Sequence, residues 1–178
     1  MFWGDFMKYF LPDIYKKNIY NINYQKLKSD GIKCLIFDLD NTLGLISNKE
    51  CPTETKKLLD ELKKDFIIYI SSNNTRKRLR PYLNMLCIEG VSWSMKPLTV
   101  GLRRINKKSR VKKNEMCIIG DQMVTDVFAG KRYGIKTILV DPLGKKDMKI
   151  TSLNRFIEKI IIKNYQKSSL FERGRYYG

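Results

Sequence analysis

The stretch CLIFDLDNTLG, residues 34–44, sets two aspartates, Asp38 and Asp40, directly behind a short run of apolar residues. An apolar run of this length that is bounded by polar residues predicts a buried β-strand. Two neighbouring carboxylates are costly to bury unless they are hydrogen-bonded or bound to a cation. The pair lies at the mouth of the predicted strand, which makes it the first candidate for a functional site.

The size and apolar content of the chain limit the possible folds. It has 178 residues, of which 43% are apolar, and this is enough for one compact domain with its own core. The longest uninterrupted apolar run, residues 66–70, is far too short to span a bilayer. The first residues lack a basic leader followed by a long apolar stretch, so we expect no secretion signal and a cytoplasmic location.

The histidine and cysteine content excludes several kinds of active site. Histidine is absent, which removes His-based triads, phosphohistidine chemistry and His-rich zinc sites. The four cysteines form no C-x-x-C pair, and none has an arginine six residues on, as a cysteine phosphatase loop would require. We expect them to be structural thiols. Acid–base chemistry must therefore come from carboxylates, lysines, tyrosines or metal-bound water.

Short apolar runs alternate with helical patterns from residue 32 onward. Buried parallel strands are predicted at residues 32–37, 66–71, 115–120 and 136–140, with a weaker fifth at 90–95. Helices are predicted between them, at residues 53–64, 75–86, 97–108 and 125–134. Pro97 would occupy the first turn of its helix, whereas Pro81 would shorten or kink its own. The alternation predicts an α/β fold with a doubly wound, mostly parallel sheet.

Two helical arms flank this predicted core, which spans residues 32–141. The N-terminal arm, residues 1–31, is rich in aromatic residues and is expected to end in a short helix closed by Gly31. The C-terminal arm, residues 142–178, is expected to form an amphipathic helix. Its apolar residues at helical spacing are Leu153, Phe156, Ile157, Ile160 and Ile161. The layout is a single domain overall.

Polar residues follow three of the predicted strands directly. They are Asp38, Ser72 and Asp121. In doubly wound sheets ligands bind beyond the carboxyl ends of the strands. We therefore expect these three residues to converge on one edge of the sheet.

Several interpretations of DLDNTLG compete. A calcium loop would need glycine and an acidic residue where Leu43 and Lys49 stand, and no nucleotide-binding P-loop motif occurs anywhere. A purely structural turn would explain Asp40 or Asn41, but it would leave Asp38 at the strand mouth unexplained. The remaining candidate is phosphoryl transfer. In that chemistry Asp38 would attack phosphorus to give an aspartyl-phosphate, and Asp40 would donate a proton to the leaving alkoxide.

The other residues required for phosphoryl transfer follow later strands. Asp121 and Asp126 would complete the shell of a magnesium ion beside the nucleophile. Ser72 and Asn73 would hold phosphate oxygens, and Lys96 would supply a fixed positive charge.

Together these motifs resemble those of the haloacid dehalogenase (HAD) superfamily in its phosphatase branch. The motifs D-x-D-x-T, Ser-Asn, Lys-Pro and G-D-x-x-x-x-D occur in the order of that family within residues 32–141. The resemblance implies a Rossmann-like core, Mg²⁺ as cofactor and a specific set of residue roles. Asp38 would be the nucleophile and a metal ligand, and Asp40 would be the general acid–base and a metal ligand through its carbonyl. Asp121 and Asp126 would belong to the metal shell. The phosphate would be bound by Thr42, Ser72 and Asn73, and Lys96 would bridge the nucleophile and the phosphate. Ser71 is the rival of Ser72, which we prefer because Asn73 follows it directly.

The gaps between the motifs leave no room for a cap domain. Residues 43–71 and 73–95 are each filled by one predicted helix and its strand. A capless site would be open to water and to bulky substrates.

The flanking segments resemble the YqeG-like subfamily. FLPDIY at residues 10–15, NRFIEKIII at residues 154–162 and RGRYYG at the end carry this resemblance together with the core motifs. Relatives there include phosphatidylglycerophosphate phosphatases of phospholipid metabolism, which implies a lipid phosphate as substrate. A peripheral position on the inner face of an anionic membrane would suit the formal charge of +17. Trp3, Phe2, Phe6 and Phe10 would add interfacial contacts.

Two other partners stay open at this point. The basic run at residues 102–113 also suits nucleic acid, so the chain could be an RNA- or ribosome-binding module with a residual phosphatase site. The substrate could also be a soluble phosphorylated metabolite. Finally, the apolar stripe of the C-terminal arm could pack on its own domain and not touch lipid.

Overall fold

The computed structural model describes residues 6–144, 149–167 and 169–178, and it contains a parallel six-stranded sheet. The strands are β1 (Ile14–Lys16), β2 (Cys34–Phe37), β3 (Ile67–Ser71), β4 (Glu89–Val91), β5 (Met116–Gly120) and β6 (Lys136–Val140). Their order across the sheet is β1-β6-β5-β2-β3-β4. The predicted doubly wound α/β architecture is confirmed.

Strand β2 occupies the middle of the sheet. Ile36 pairs with Tyr69 of β3 on one side and with Ile118 of β5 on the other. All four residues of β2 are fully buried, because helices cover both faces of the sheet. This double burial explains why the strand has a continuous apolar sequence and no alternation.

The helices form one layer on each face. They are α1 (Tyr24–Ser29), α2 (Thr53–Leu62), α3 (Arg76–Leu86), α4 (Val100–Ser109), α5 (Phe128–Tyr133) and α6 (Lys149–Lys167). One face of the sheet packs with α1, α2 and α3, and the other packs with α4 and α5. A third cluster joins α6 to β1 and β6 through Tyr15, Leu139, Ile161 and Tyr165.

The predicted helix start at Pro97 and the predicted shortening of the helix at Pro81 are wrong, and a kink at Pro81 stays a prediction. Helix α4 begins at Val100, because Asn73 bonds the backbone of Lys96 and the N–H of Leu98 donates to the carbonyl of Met95, so the residues around Pro97 form a turn. Helix α3 runs through Pro81 without interruption. Pro81 is exposed there, where water can bond the carbonyl that loses its helical partner. The predicted helix at 125–134 begins as a π-helical turn, Met123–Val127, before α5.

The N-terminal segment contributes to the sheet as well as forming the expected short helix. Helix α1 is followed by Gly31 at φ +85°, as predicted, but β1 also pairs in parallel with β6. Asp13 anchors this strand by accepting hydrogen bonds from the N–H (2.9 Å) and the hydroxyl (2.8 Å) of Thr137, and it pairs with Lys131. Burial works to raise the pKa of Asp13, but these contacts together hold it below its ordinary value.

The aromatic residues near the N-terminus pack on the protein itself. Phe10 is buried and stacks on Phe128 with ring centroids 4.4 Å apart, so its predicted contact with a membrane is wrong. Phe6 makes edge contacts with the same two rings and is half exposed. Phe2 and Trp3 lie outside the described residues.

Helix α6 packs on the core with only one side. Ile161 and Tyr165 are buried, whereas Phe156, Ile157 and Ile160 are exposed. Of the stripe residues whose side chains the structure describes, only Ile161 packs on its own domain as expected. The side chain of Leu153 lies outside the described residues. Within the described part of the chain, no helix combines the length and apolar character needed to cross a bilayer.

Candidate active site

Three buried carboxylates meet at the carboxyl edge of the sheet. They belong to Asp38 after β2 and to Asp121 and Asp126 after β5, and their oxygens lie within 4.8 Å of one another. The parallel pairing of β2 with β5 brings them together, and it continues beyond the strands in a 2.8 Å hydrogen bond from the N–H of Asp38 to the carbonyl of Ile119. Gly120 permits the approach of Asp126, because a Cβ at that position would clash with the carboxyl group. The predicted convergence is confirmed for Asp38 and Asp121.

Lys96 is the cation at the centre of this cluster. Its Nζ donates to Asp38 Oδ1 at 2.5 Å, to Asp126 Oδ1 at 2.6 Å and to the carbonyl of Ser71 at 2.8 Å. Burial alone would lower the pKa of Lys96, but the Asp126 and Asp38 carboxylates raise it above its ordinary value. Lys96 is therefore held as a fixed positive charge between two carboxylates.

The loop that carries Lys96 is held by Asn73. The Asn73 amide donates to the carbonyl of Lys96 at 2.8 Å, and its oxygen accepts from the Lys96 N–H and the Ser94 hydroxyl, each at 2.8 Å. Asn73 lines the cavity, as expected of a phosphate-site residue, but in the structure its amide group holds the Lys96 loop.

Burial destabilises the charged form of the carboxylates in this cluster, although Lys96 and Arg155 lie beside them. It raises the pKa of Asp38 to about 7 against the opposing effect of Lys96, and it raises the pKa of Asp121 well above its ordinary value. A divalent cation among the oxygens would offset this. Carboxylate oxygens at this spacing fit Mg²⁺, which prefers hard oxygen ligands.

Asp40 lies beside the cluster and is held by Arg78 from α3. Arg78 Nε and Nη2 donate to Asp40 Oδ1 at 3.0 and 2.8 Å, and Asn74 donates to Asp40 Oδ2 at 3.2 Å. Arg78 also donates to the carbonyls of Leu45 (3.1 Å) and Asn48. Arg78 was not among the predicted site residues, and its only signal in the sequence was the cluster of basic residues that opens α3.

A second arginine, Arg155, reaches the cluster from α6. It donates to the carbonyl of Asp121 at 2.9 Å, pairs with the Asp121 carboxylate, and contacts Glu158 at 3.0 Å. Glu158 is buried and accepts from the N–H of Met123 in the π-helical turn. The C-terminal helix is thus part of the site, which the sequence analysis did not foresee.

The hydroxyl residues divide between the cluster and an open cavity. Asp38 and Asp40 line a cavity of about 280 Å³, and Ser72 reaches it, while Ser71 Oγ is buried and has no hydrogen-bond partner among the described residues. The Ser72 hydroxyl accepts from the N–H of Asn74 at 3.1 Å. Thr42 lies deeper, with its hydroxyl 3.5 Å from Asp121 Oδ1. The structure therefore places Thr42 against the carboxylates, not on the cavity wall.

Two family models match separate parts of the chain. The mitochondrial PGP phosphatase model matches residues 6–79, and the HAD-hydrolase-like model matches residues 95–152. Solved structures with the same fold include a predicted HAD-like family hydrolase from Porphyromonas gingivalis, at a TM-score of 0.52 and 14% identity over 71% of this chain and 98% of that one. A HAD family enzyme of Bacteroides thetaiotaomicron in complex with magnesium and inorganic phosphate matches at a TM-score of 0.50 and 15% identity over 68% of this chain and 99% of that one.

Curated relatives narrow the assignment. Phosphatidylglycerophosphate phosphatase 1 of Arabidopsis thaliana is 21% identical over 92% of this chain, which spans 50% of that protein's length. "Probable phosphatase YqeG" of Bacillus subtilis is 38% identical over 87% of this chain and 91% of its own length. The chain therefore belongs to the YqeG-like phosphatases of the HAD superfamily.

Proposed function

We propose that this phosphatase is a Mg²⁺-dependent phosphomonoester hydrolase that works through an aspartyl-phosphate and acts on a lipid phosphate of the phosphatidylglycerophosphate kind. The observation that carries the proposal is the cluster of Asp38, Asp121 and Asp126 around the Lys96 amine, at the edge of the sheet where ligands bind.

The first half-reaction transfers the phosphoryl group to Asp38. A carboxylate oxygen of Asp38 forms a bond to phosphorus while the bond from phosphorus to the ester oxygen breaks. Asp40 gives its proton to the departing alkoxide, which leaves as an alcohol. Lys96 touches Asp38 and stabilises the negative charge on the transferring group.

The second half-reaction returns Asp38 to its initial state. Asp40, now ionised, accepts a proton from a water molecule that attacks phosphorus, and the bond from phosphorus to Asp38 breaks to release inorganic phosphate. The Ser72 hydroxyl lines the cavity and can orient phosphate oxygens. Asp38, Asp121, Asp126 and the carbonyl of Asp40 would hold Mg²⁺, which supplies charge neutralisation for the phosphate oxygens when it is bound.

Relatives and site shape favour the lipid substrate. Two matched relatives are phosphatidylglycerophosphate phosphatases, although this chain spans only 50% and 53% of their lengths. The segments between the motifs contain one helix and one strand each, so no cap covers the cavity in the described part of the chain. A site without a cap can meet a substrate that stays in a membrane, and the proposed location is the cytoplasmic face of that membrane.

A substrate panel tests both levels of this proposal. Purified protein is offered phosphatidylglycerophosphate, nucleotides and sugar phosphates with Mg²⁺, with and without anionic vesicles, and phosphate release is measured. We expect release from the lipid, at least about a thousandfold slower in Asp38→Asn, since the nucleophile is lost. Asp65→Asn, at an exposed aspartate before β3, is the matched control.

Each other outcome has a distinct meaning. Release from a soluble ester alone, indifferent to vesicles, contradicts the lipid assignment and leaves the enzyme class intact. Full turnover by a folded Asp38→Asn variant contradicts the aspartyl-phosphate. Tight, salt-dependent RNA binding that survives Asp38→Asn, with no turnover of any ester, would favour the RNA-binding alternative.

A further inference from the structure

We infer that the carboxyl edge of the sheet is a membrane-docking face, and that the loop after β4 inserts its apolar side chains into an anionic bilayer beside the active site. The inference rests on the proposed lipid substrate for the identity of the partner. The surface itself is defined by five exposed apolar residues, here called the rim: Leu45, Trp93, Met95, Leu98 and Leu143.

The rim surrounds the cavity because of the sheet topology. Leu45 follows β2, Leu143 follows β6, and the other three follow β4, so all five lie on loops that leave the same edge of a parallel sheet. Trp93 lines the cavity directly. The N–H of Leu143 donates to the carbonyl of Asn41 at 2.9 Å, which holds Leu143 against the loop that carries Asp38 and Asp40.

The loop after β4 holds its apolar side chains outward by its backbone conformation. Trp93 and Met95 adopt φ values of +49° and +59°. This is the left-handed region, which residues other than glycine and asparagine seldom adopt. Hydrogen bonds from Trp93 N–H to the Asn74 carbonyl (3.1 Å) and from Ser94 N–H to the Ser72 carbonyl (3.0 Å) fix that conformation.

Inward and outward residues alternate along this loop. Lys96 is buried against the carboxylates and Ser94 is buried with its hydroxyl on Asn73 Oδ1, whereas Trp93 and Met95 are 61% and 52% exposed. Both side chains therefore leave more than half of their surface in water, and the hydrophobic effect favours its removal. A bilayer interface would bury these side chains while the loop after β4 keeps Lys96 in place.

Helix α6 adds a second exposed apolar surface beside the cavity. Asn154 lines the cavity and Arg155 contacts Asp121, so the helix borders the site. Its outward side exposes Phe156, Ile157 and Ile160 together with two lysines, Lys159 and Lys163. Apolar and basic residues side by side are typical of helices that lie in a membrane interface.

The charges near the cavity favour an anionic bilayer over a protein surface as the occupant. Helix α3 begins directly after Thr75, which lines the cavity, and exposes Arg76, Lys77 and Arg80. The chain as a whole carries +17. Basic residues near an anionic membrane strengthen binding to it, and a tryptophan at the headgroup level is a common interfacial anchor.

Tryptophan fluorescence tests the inference, because the chain has only two tryptophans. In Trp3→Phe, Trp93 is the sole tryptophan, its emission is excited selectively over that of the tyrosines, and every rim residue is native. With vesicles rich in phosphatidylglycerol we expect a blue shift of the emission and quenching by brominated acyl chains, and no change with phosphatidylcholine vesicles. An unchanged spectrum with the anionic vesicles would overturn the inference.

A vesicle cosedimentation assay provides the second test. Met95→Asn together with Leu98→Ser should weaken binding by at least about tenfold, which is about 1.4 kcal/mol; asparagine suits the left-handed conformation of Met95. Ile67→Ser is the matched control, since Ile67 is 43% exposed at the opposite edge of the sheet. Equal binding by folded double variant and wild type would overturn the inference, as would an equal loss in the control. Neither assay requires turnover, so failure of the proposed function is seen separately as absence of phosphate release.

Discussion

The contact between Arg78 and Asp40 defines how the proposed general acid is placed. Nε and Nη2 of Arg78 both donate to Oδ1 of Asp40, and Asn74 donates to Oδ2, so the carboxyl group has one fixed orientation at the cavity wall. Arg78 is itself held by two carbonyls of the loop that follows Asp40. We therefore regard Arg78 as a positioning residue for proton transfer.

Arg78→Ala should impair the enzyme in a way that depends on the leaving group. An alkyl phosphate requires a proton on its leaving oxygen, and a positioned general acid is worth about 10²–10⁴-fold. We expect kcat/KM for an alkyl phosphate to fall about a hundredfold, and that for nitrophenyl phosphate, whose leaving group departs without a proton, to fall far less. Steady-state kinetics on the two esters measure this difference.

Three variants separate positioning from general damage at Arg78. In Asp40→Asn, the further change Arg78→Ala should cost little, because the proton donor is already lost. Arg78→Lys should recover part of kcat, since it keeps the charge without the two converging donors. Arg76→Ala, on the exposed side of the same helix, is the control. Equal losses on both esters would contradict the positioning role.

At this scale the sequence predicted residues that follow strands and missed those that reach in from helices. Asp38 and Asp121 were placed correctly, because the end of a buried strand is visible as the end of an apolar run. Arg78 and Arg155 were missed, because nothing in a basic helical segment distinguishes the one side chain that turns inward. Asn73 was found, but its contact with the Lys96 backbone depends on the fold of a distant loop.

Among the elements, the four strands with long apolar runs were predicted, whereas of the two three-residue strands β4 was predicted only as a weaker strand at 90–95 and β1 was not predicted. The four predicted core strands exist because each is buried on both faces of the sheet. Strand β1 has only three residues, and its pairing with β6 depends on Asp13 and Thr137, which lie 124 positions apart. The helical spacing around Pro97 was misleading, because contacts with Asn73 hold the preceding residues in a turn.

Helix α6 joins the carboxylate cluster through Arg155, and this gives an element-scale prediction. Removing one partner from a buried ion pair costs about 3–5 kcal/mol, because the other charge is left uncompensated. Asp121 is fully buried, so we expect Arg155→Ala to lower the free energy of unfolding by about 3 kcal/mol without metal. Mg²⁺ would supply the missing positive charge and should stabilise the variant more than the wild type.

Thermal unfolding with and without Mg²⁺ measures both effects. Lys159→Ala, at an exposed lysine of the same helix, is the control and should behave as the wild type does. If Arg155→Ala unfolds as the wild type does in the absence of metal, the arginine contributes nothing to the cluster. If Mg²⁺ stabilises both proteins equally, Arg155 and the metal do not share Asp121.

For the whole molecule, the positive charge lies mainly after residue 50, beyond β1 and β2. Residues 1–50 hold 7 Lys/Arg and 6 Asp/Glu, whereas residues 51–110 hold 14 and 5, and residues 111–178 hold 14 and 7. Net charge alone attracts any polyanion from any direction. The docking face defined above gives that attraction an orientation, with the active-site edge toward the lipid.

Two triple substitutions to glutamine should therefore differ in their effect on vesicle binding, although each lowers the net charge of +17 by three. Replacing Arg76, Lys77 and Arg80 by glutamine removes charge beside the cavity, and we expect vesicle binding to weaken about tenfold or more, since each basic residue near an anionic surface contributes about 1 kcal/mol. Replacing Lys107 in the last turn of α4, together with Arg110 and Lys112 in the segment before β5, removes charge at the opposite edge. Those residues would be beyond the Debye length of about 8 Å at physiological salt, and their loss should have little effect. Cosedimentation with phosphatidylglycerol vesicles over a range of salt concentrations measures both, and equal losses in the two sets would mean that the bilayer does not meet the active-site edge.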